Sequence, residues 1–150
     1  MINCQNKKSR FHTHTHDTRR GIYLLICELR RNSEILVGRL GKFSLKKGFY
    51  IYVGSAMNGL EQRVARHLRK DKKMHWHIDY LLKKAKILEV VSFQTSYSND
   101  ECLTASNIAK LADDEPVKSF GSSDCKCNTH LFYFDKCDKT LLKKLTMILD

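Results

Sequence analysis

The stretch GFYIYVGSAMNGLEQRVARHLRK, residues 48–70, changes its period halfway along, and that change decides the fold. GFYIYVG (48–54) is a short apolar and aromatic run bounded by glycines, the signature of a strand. Past Gly54 the apolar residues Leu60, Val64 and Leu68 recur at helical spacing, with Asn58 or Gly59 near the start. Read to its end, SAMNGLEQRVARHLRKDKK predicts a helix reaching Lys73, with Arg63, Arg66, Lys70 and Lys73 as one basic stripe and Arg69 and Lys72 beside it. A strand therefore runs directly into a basic helix.

Working outward, GIYLLICEL (21–29) reads as a buried strand, RRNS as a turn and EILVGRL (34–40) as a second strand, the two forming a hairpin. Gly41 and Gly48 bracket a basic loop, and the three runs are expected to share one antiparallel sheet. Downstream, HWHIDYLLKKA (75–85) is helical and ILEVVSFQT (87–95) is a strand. DECLTASNIAKL is a helix capped by Asn99 or Asp100, and KTLLKKLTMIL (139–149) is an amphipathic helix. Between them FGSSDCKCN is a loop and THLFYF a strand. The order β-β-β-α-α-β-α-β-α implies an α+β fold, a small antiparallel β-sheet flanked by helices. Residues 1–20, polar with alternating His and Thr, read as a flexible basic arm, leaving 21–150 as one domain.

Charge narrows the partners. The 150 residues hold 27 Lys and Arg against 16 Asp and Glu, a formal +11. Residues 1–86 account for +14 of this and residues 87–150 for −3. A uniformly basic protein needs no more than solubility to explain its charge, but an oriented field suits a polyanion docked on one side, DNA being the expected partner. No apolar run approaches the roughly 18–20 residues that cross a bilayer, which excludes a transmembrane protein. MINCQNKKSRFHTHTHDTRR has no apolar core of a secretory signal, so a cytoplasmic location is expected. The sequence sets no oligomeric state.

Two tripeptides carry the chemistry: Gly21-Ile22-Tyr23 opening the first strand and Tyr52-Val53-Gly54 closing the third. Arg63 follows in the helix, and His67 lies at i+4 on the same helical face. Phenols near a cation or metal can accept a proton, and arginine clamps phosphate bidentately without losing its own. As core hydrophobes, Tyr23 and Tyr52 would need no such role, and Arg63 alone would be a surface charge. Together these residues resemble the GIY-YIG nuclease superfamily. FYIYVGSA, RVARHLR, HWHIDYLL and FGSSDCKCNTHLFYF are more closely similar to the archaeal and bacterial family DUF123, itself placed near GIY-YIG nucleases.

The resemblance implies a metal-dependent DNA endonuclease or DNA-repair-associated nuclease, with Tyr23, Tyr52, Arg63 and His67 catalytic. The basic stripe itself, with Arg66, Arg69, Lys70, Lys72 and Lys73, is expected to track a nucleic-acid backbone, a solvated helix face being the other reading. The resemblance also implies a glutamate on a later helix holding Mg2+ or another divalent cation. Aligned on the family's E-A-x-x-L-E-like string, Glu101 is kept but the ligand position falls on Ser106. Three alternatives follow: Glu101 holds the metal, Asp79 does, or the domain is a catalytically inactive nucleic-acid-binding module. Cys125-x-Cys127-x-x-His130, with Cys102, offers four ligands for a structural Zn2+, with free thiols and redox use as the other readings. His75 and His77 would not share a helical face, and Trp76 is expected to pack with His77 near the cleft.

Overall fold

The computed structural model describes residues 19–149, so residues 1–18 of the arm read over 1–20 lie outside the described part. Six strands and four helices follow in order: β1 (Gly21–Leu29), β2 (Ser33–Val37), β3 (Gly41–Leu45), β4 (Gly48–Ala56), α1 (Leu60–Leu68), α2 (His77–Leu81), β5 (Lys86–Gln94), α3 (Asp100–Ala109), β6 (Leu131–Phe134) and α4 (Lys139–Leu149). The fold is α+β as expected. Its main sheet has the order β5-β1-β4-β6, with every neighbouring pair antiparallel.

β1 is central and buried on both faces, which is why GIYLLICEL is apolar throughout instead of alternating. Its odd-numbered side chains (Tyr23, Leu25, Cys27, Leu29) join Tyr50 and Tyr52 of β4 beneath α1, α2 and the β2–β3 hairpin. Its even-numbered ones (Ile22, Leu24, Ile26) join Ile51, Val53, Phe132 and Phe134 beneath α3 and α4. Two apolar cores thus lie on either side of one sheet.

Four expectations are corrected. β1 and β2 do not form a hairpin in a shared sheet. β2 pairs with β3, which occupies the stretch read as a basic loop, in a separate two-stranded sheet. The alternating, half-exposed pattern of β2 and β3 fits an outlying ribbon covering one face, whereas β1 needs partners on both edges. Helix α1 stops at Leu68, short of Lys73. Arg69 turns extended, and Lys72 folds back so that its ammonium donates to the carbonyls of Arg66 and His67, satisfying the helix's last acceptors. Helix α2 begins at His77 because the Asp79 carboxylate accepts the backbone N–H groups of His75 and Trp76, each at 2.9 Å.

The motif glycines are required by close approach. Tyr23 pairs directly with Gly54 across β1 and β4, and Tyr52 lies two residues before Gly54 on the same face. The Tyr23 ring lies over Gly54 so closely that a Cβ there would collide with the phenol. A Cβ on Gly21 would likewise strike the Phe93 carbonyl of β5 and the Leu60 side chain of α1. Gly54 is therefore what lets the Tyr23 ring cross the end of the sheet, and Gly21 is what lets β1 pack against β5 and α1 there.

Candidate functional site

At that end of the sheet is a cavity of about 240 Å³ lined by Tyr23, Tyr52, Ser55, Arg63 and Glu101, among others. The site draws on both layers of the fold: β1 and β4 supply the phenols, α1 supplies Arg63 from one face, and α3 supplies Glu101 from the other. The ring centroids of Tyr23 and Tyr52 are 6.3 Å apart. Behind them His67, 2 % exposed, brings Nε2 to 2.7 Å from the Tyr23 hydroxyl.

Ser55 joins the two layers. Its carbonyl accepts from Arg63 Nη1 at 3.3 Å, and its hydroxyl donates to Glu101 Oε2. Trp76 is a second support, with the guanidinium carbons of both Arg63 and Arg66 4.3 Å from its ring centroid. Neither role of Ser55 was read from the sequence. The only signal was its place next to Gly54, where a strand end can offer a backbone carbonyl to the following helix.

Electrostatics distinguish the groups. Burial pushes His67 down to about 4, with Lys72, Arg66 and Arg63 adding to the effect and Asp79 opposing it. At neutral pH the imidazole is therefore uncharged. Burial raises Tyr52 well above an ordinary phenol and raises Tyr23 too, Arg63 opposing in both cases. Burial would raise Glu101, but hydrogen bonds from His130 and Ser55 and the nearby Arg63 outweigh it and leave the carboxyl below its usual range. Glu101 is thus a carboxylate at neutral pH.

The low value for His67 has a consequence for stability. The unfolded chain takes up this proton below about pH 6.5, the folded chain only below about 4. In that window the unfolded state binds more protons, so stability falls as pH falls, by about 3 kcal/mol in total. His77 is also lowered by burial and contributes with the same sign. Urea unfolding between pH 7 and 4.5 should follow this slope, and His67→Gln should flatten it. An unchanged slope in the variant would remove His67 as its source.

Helix α3 turns Glu101 and Ser106 to different sides. Glu101 lines the cavity, and Ala105 and Ile108 on the same helix are buried against the sheet. Ser106, five residues past Glu101 and about 140° round the helix, is exposed. The string alignment put the ligand position on the outer face; the helix turns the first acid inward. Asp79 is committed elsewhere. It is fully buried, with Arg66 donating to both its oxygens at 3.0 and 3.1 Å. Asp124, not singled out from the sequence, rims the cavity from the loop before β6.

The basic stripe is divided. Arg66 is held by Asp79 and Trp76, and Lys72 caps α1, so neither is a freely presented cation. Arg69, Lys70 and Lys73 are exposed. Trp76 packs against His67 and His75 instead of His77, whose ring lies against Phe120 and whose Nδ1 accepts the Gly121 N–H at 2.9 Å. Cys102, Cys125, Cys127 and His130 come together, with ligand atoms all within 4.8 Å of one another, a group able to hold a metal ion. Among the described residues no helix is long and apolar enough to cross a membrane.

A comparison with curated proteins and one with solved structures each gave no match. The profile of one family, described as "Domain of unknown function DUF123", matches residues 22–149, which include both sheets except Gly21, all four α-helices and every residue named as lining the cavity. The chain belongs to the DUF123 family.

Proposed function

We propose that the cavity is the active site of a metal-dependent endonuclease that hydrolyses phosphodiester bonds in DNA. One observation carries this reading: Tyr23 with His67, Tyr52, Arg63 and Glu101 converge on a single cavity from four separate elements. Hydrolysis needs a proton acceptor for water, positive charge for the phosphorane-like transition state, and help for the leaving oxygen. The raised phenols do not ionise on their own at neutral pH. In the tautomer that carries its proton on Nδ1, neutral His67 takes the phenolic proton on Nε2 as the water's proton passes to the Tyr23 oxygen. Tyr52 orients the water or a phosphate oxygen beside it.

Arg63 clamps the scissile phosphate. Its guanidinium is held at one nitrogen by the Ser55 carbonyl and rests against Trp76, leaving donors over for phosphate oxygens. Glu101 fits a hard divalent cation such as Mg2+. It is ionised, and one lone pair on each oxygen remains after the contacts with Ser55 and His130. When bound, the ion would neutralise charge on the phosphate. The basic half of the chain, with exposed Arg69, Lys70 and Lys73 next to α1, supports DNA as the polyanion and implies largely sequence-blind docking on the backbone. We also propose a cytoplasmic location and a part in DNA repair.

The test is nicking of supercoiled plasmid by the full chain with Mg2+. Tyr23→Phe keeps the ring over Gly54 but removes the proton relay, and should lower the rate by about 10²-fold. A Tyr23→Phe variant nicking at the wild-type rate would overturn the proton route. No Mg2+-dependent cleavage of plasmid, nicked, branched or single-stranded DNA, alongside salt-dependent binding, would overturn the nuclease reading in favour of a binding module.

A further inference from the structure

We infer that one Zn2+ is bound by Cys102, Cys125, Cys127 and His130, and that it clamps the segment before β6 and orients Glu101 through His130. The segment is the place to begin. Between the end of α3 at Ala109 and the start of β6 at Leu131 the chain forms turns but no helix or multi-residue strand. Connections this long need an internal fastening if they are to hold a fixed shape. This one contributes Gly121, Ser123 and Asp124 to the cavity wall.

The four ligands supply that fastening. Cys102 comes from α3 and the other three from the segment, so a shared ion ties the two together. Cys125 Sγ is already 3.5 Å from His130 Nε2, about the separation that tetrahedral zinc imposes on a sulfur and a nitrogen. The full set lies within 4.8 Å, so a contraction of roughly 1 Å closes it on the ion. These thiols differ from Cys27 and Cys137, which are buried within the two apolar cores. Cys102, Cys125 and Cys127 are instead partly exposed, where packing gives little reason to gather three thiols.

The orientation of His130 is the second observation. Its backbone is fixed on both sides, the N–H donating to the Phe120 carbonyl at 2.8 Å and the carbonyl accepting from Val53 at 3.0 Å. Its ring is 1 % exposed, with Nε2 toward sulfur and Nδ1 3.2 Å from Glu101 Oε1. Nδ1 has no other partner among the described residues. A metal on Nε2 fixes the proton on Nδ1 and aims it at a carboxylate, the usual support for a metal-bound imidazole. Three thiol protons leave as zinc binds. Four protein ligands close the coordination sphere, so this ion is structural and does not itself act on substrate. Glu101 thereby faces two ways, toward the cavity and toward the zinc ligand.

Zinc binding stands without the nuclease reading; the consequence for Glu101 as a cavity ligand rests on it. The experiment is metal analysis of the purified full chain, with cobalt exchange and hydrogen exchange on the same samples. One zinc per chain is expected, and cobalt should give the visible and thiolate charge-transfer bands of a tetrahedral sulfur-rich site. Cys125→Ser and His130→Ala should lose both signals, while His75→Ala keeps them. Glu101→Gln should weaken zinc affinity roughly tenfold. Chelation should speed amide exchange over residues 119–130 and leave β1 and β4 protected. No stoichiometric zinc and no thiolate–cobalt bands would overturn the site. Bound zinc whose removal leaves exchange over 119–130 unchanged would overturn the clamp. One zinc per chain with no DNA cleavage would support the site and count against the nuclease alone.

Discussion

Arg63→Ala is expected to lower Mg2+-dependent plasmid nicking by about 10³-fold while leaving the melting temperature within a few degrees of wild type. The size follows from the chemistry. A guanidinium aimed at a transferring or hydrolysing phosphoryl group is commonly worth roughly 10³ or more in rate. The small effect on stability follows from the geometry. Arg63 is partly exposed and makes one 3.3 Å bond to the Ser55 carbonyl, which a water can replace, besides its contact with the Trp76 ring. Arg63→Lys should recover only part of the rate, because an ammonium cannot offer two parallel donors. Gel-based nicking rates with a thermal melt on the same samples decide it. Unchanged nicking in Arg63→Ala would remove the cavity from the mechanism.

Asp79→Ala should destabilise the fold by about 3–5 kcal/mol. Burial alone would raise this carboxyl, yet Arg66 and the N–H groups of Trp76 and His75 bring it below its ordinary range. Removing it leaves the Arg66 guanidinium without its ion partner in a site where its side chain is only 19 % exposed. It also strips two backbone donors at the start of α2 of their acceptor. The loss should appear as a fall in melting temperature of roughly 10 °C or more. Asp79→Asn, which keeps an acceptor but no charge, should fall between the two. A melt unchanged by Asp79→Ala would show that Arg66 and the α2 backbone find other partners.

How much of this was legible in the sequence depended on distance along the chain. Most elements were read from local period, because strands and helices impose 2 and 3.6 residues per repeat wherever they lie. The pairing of β1 was not, since an apolar run records that a strand is buried without recording which neighbours bury it. β3 reads as a loop in the sequence because Gly41 and Gly48 bracket a short stretch carrying Lys42, Lys46 and Lys47; its half-exposed pattern is that of an outlying ribbon. Tyr23, Tyr52, Arg63 and His67 were found because the tyrosine tripeptides and the Arg-His helix stand out as strings. Asp79 and Arg66 look like neighbours of the cavity residues in sequence. Only their burial against each other shows that they hold up Trp76. Glu101 was named, but its direction depended on which side of α3 meets the sheet, and the string alignment carried no information about that.

Trp76 is the sole tryptophan of the 150 residues, and it lies against Arg63, Arg66, His67 and His75. The indole emission of the whole chain therefore originates at the wall of the cavity. Any anion that draws Arg63 off the ring changes the charge directly over the fluorophore. The molecule carries a native optical reporter, and unlabelled protein can be titrated with phosphate, nucleotides or DNA to watch that one arginine engage.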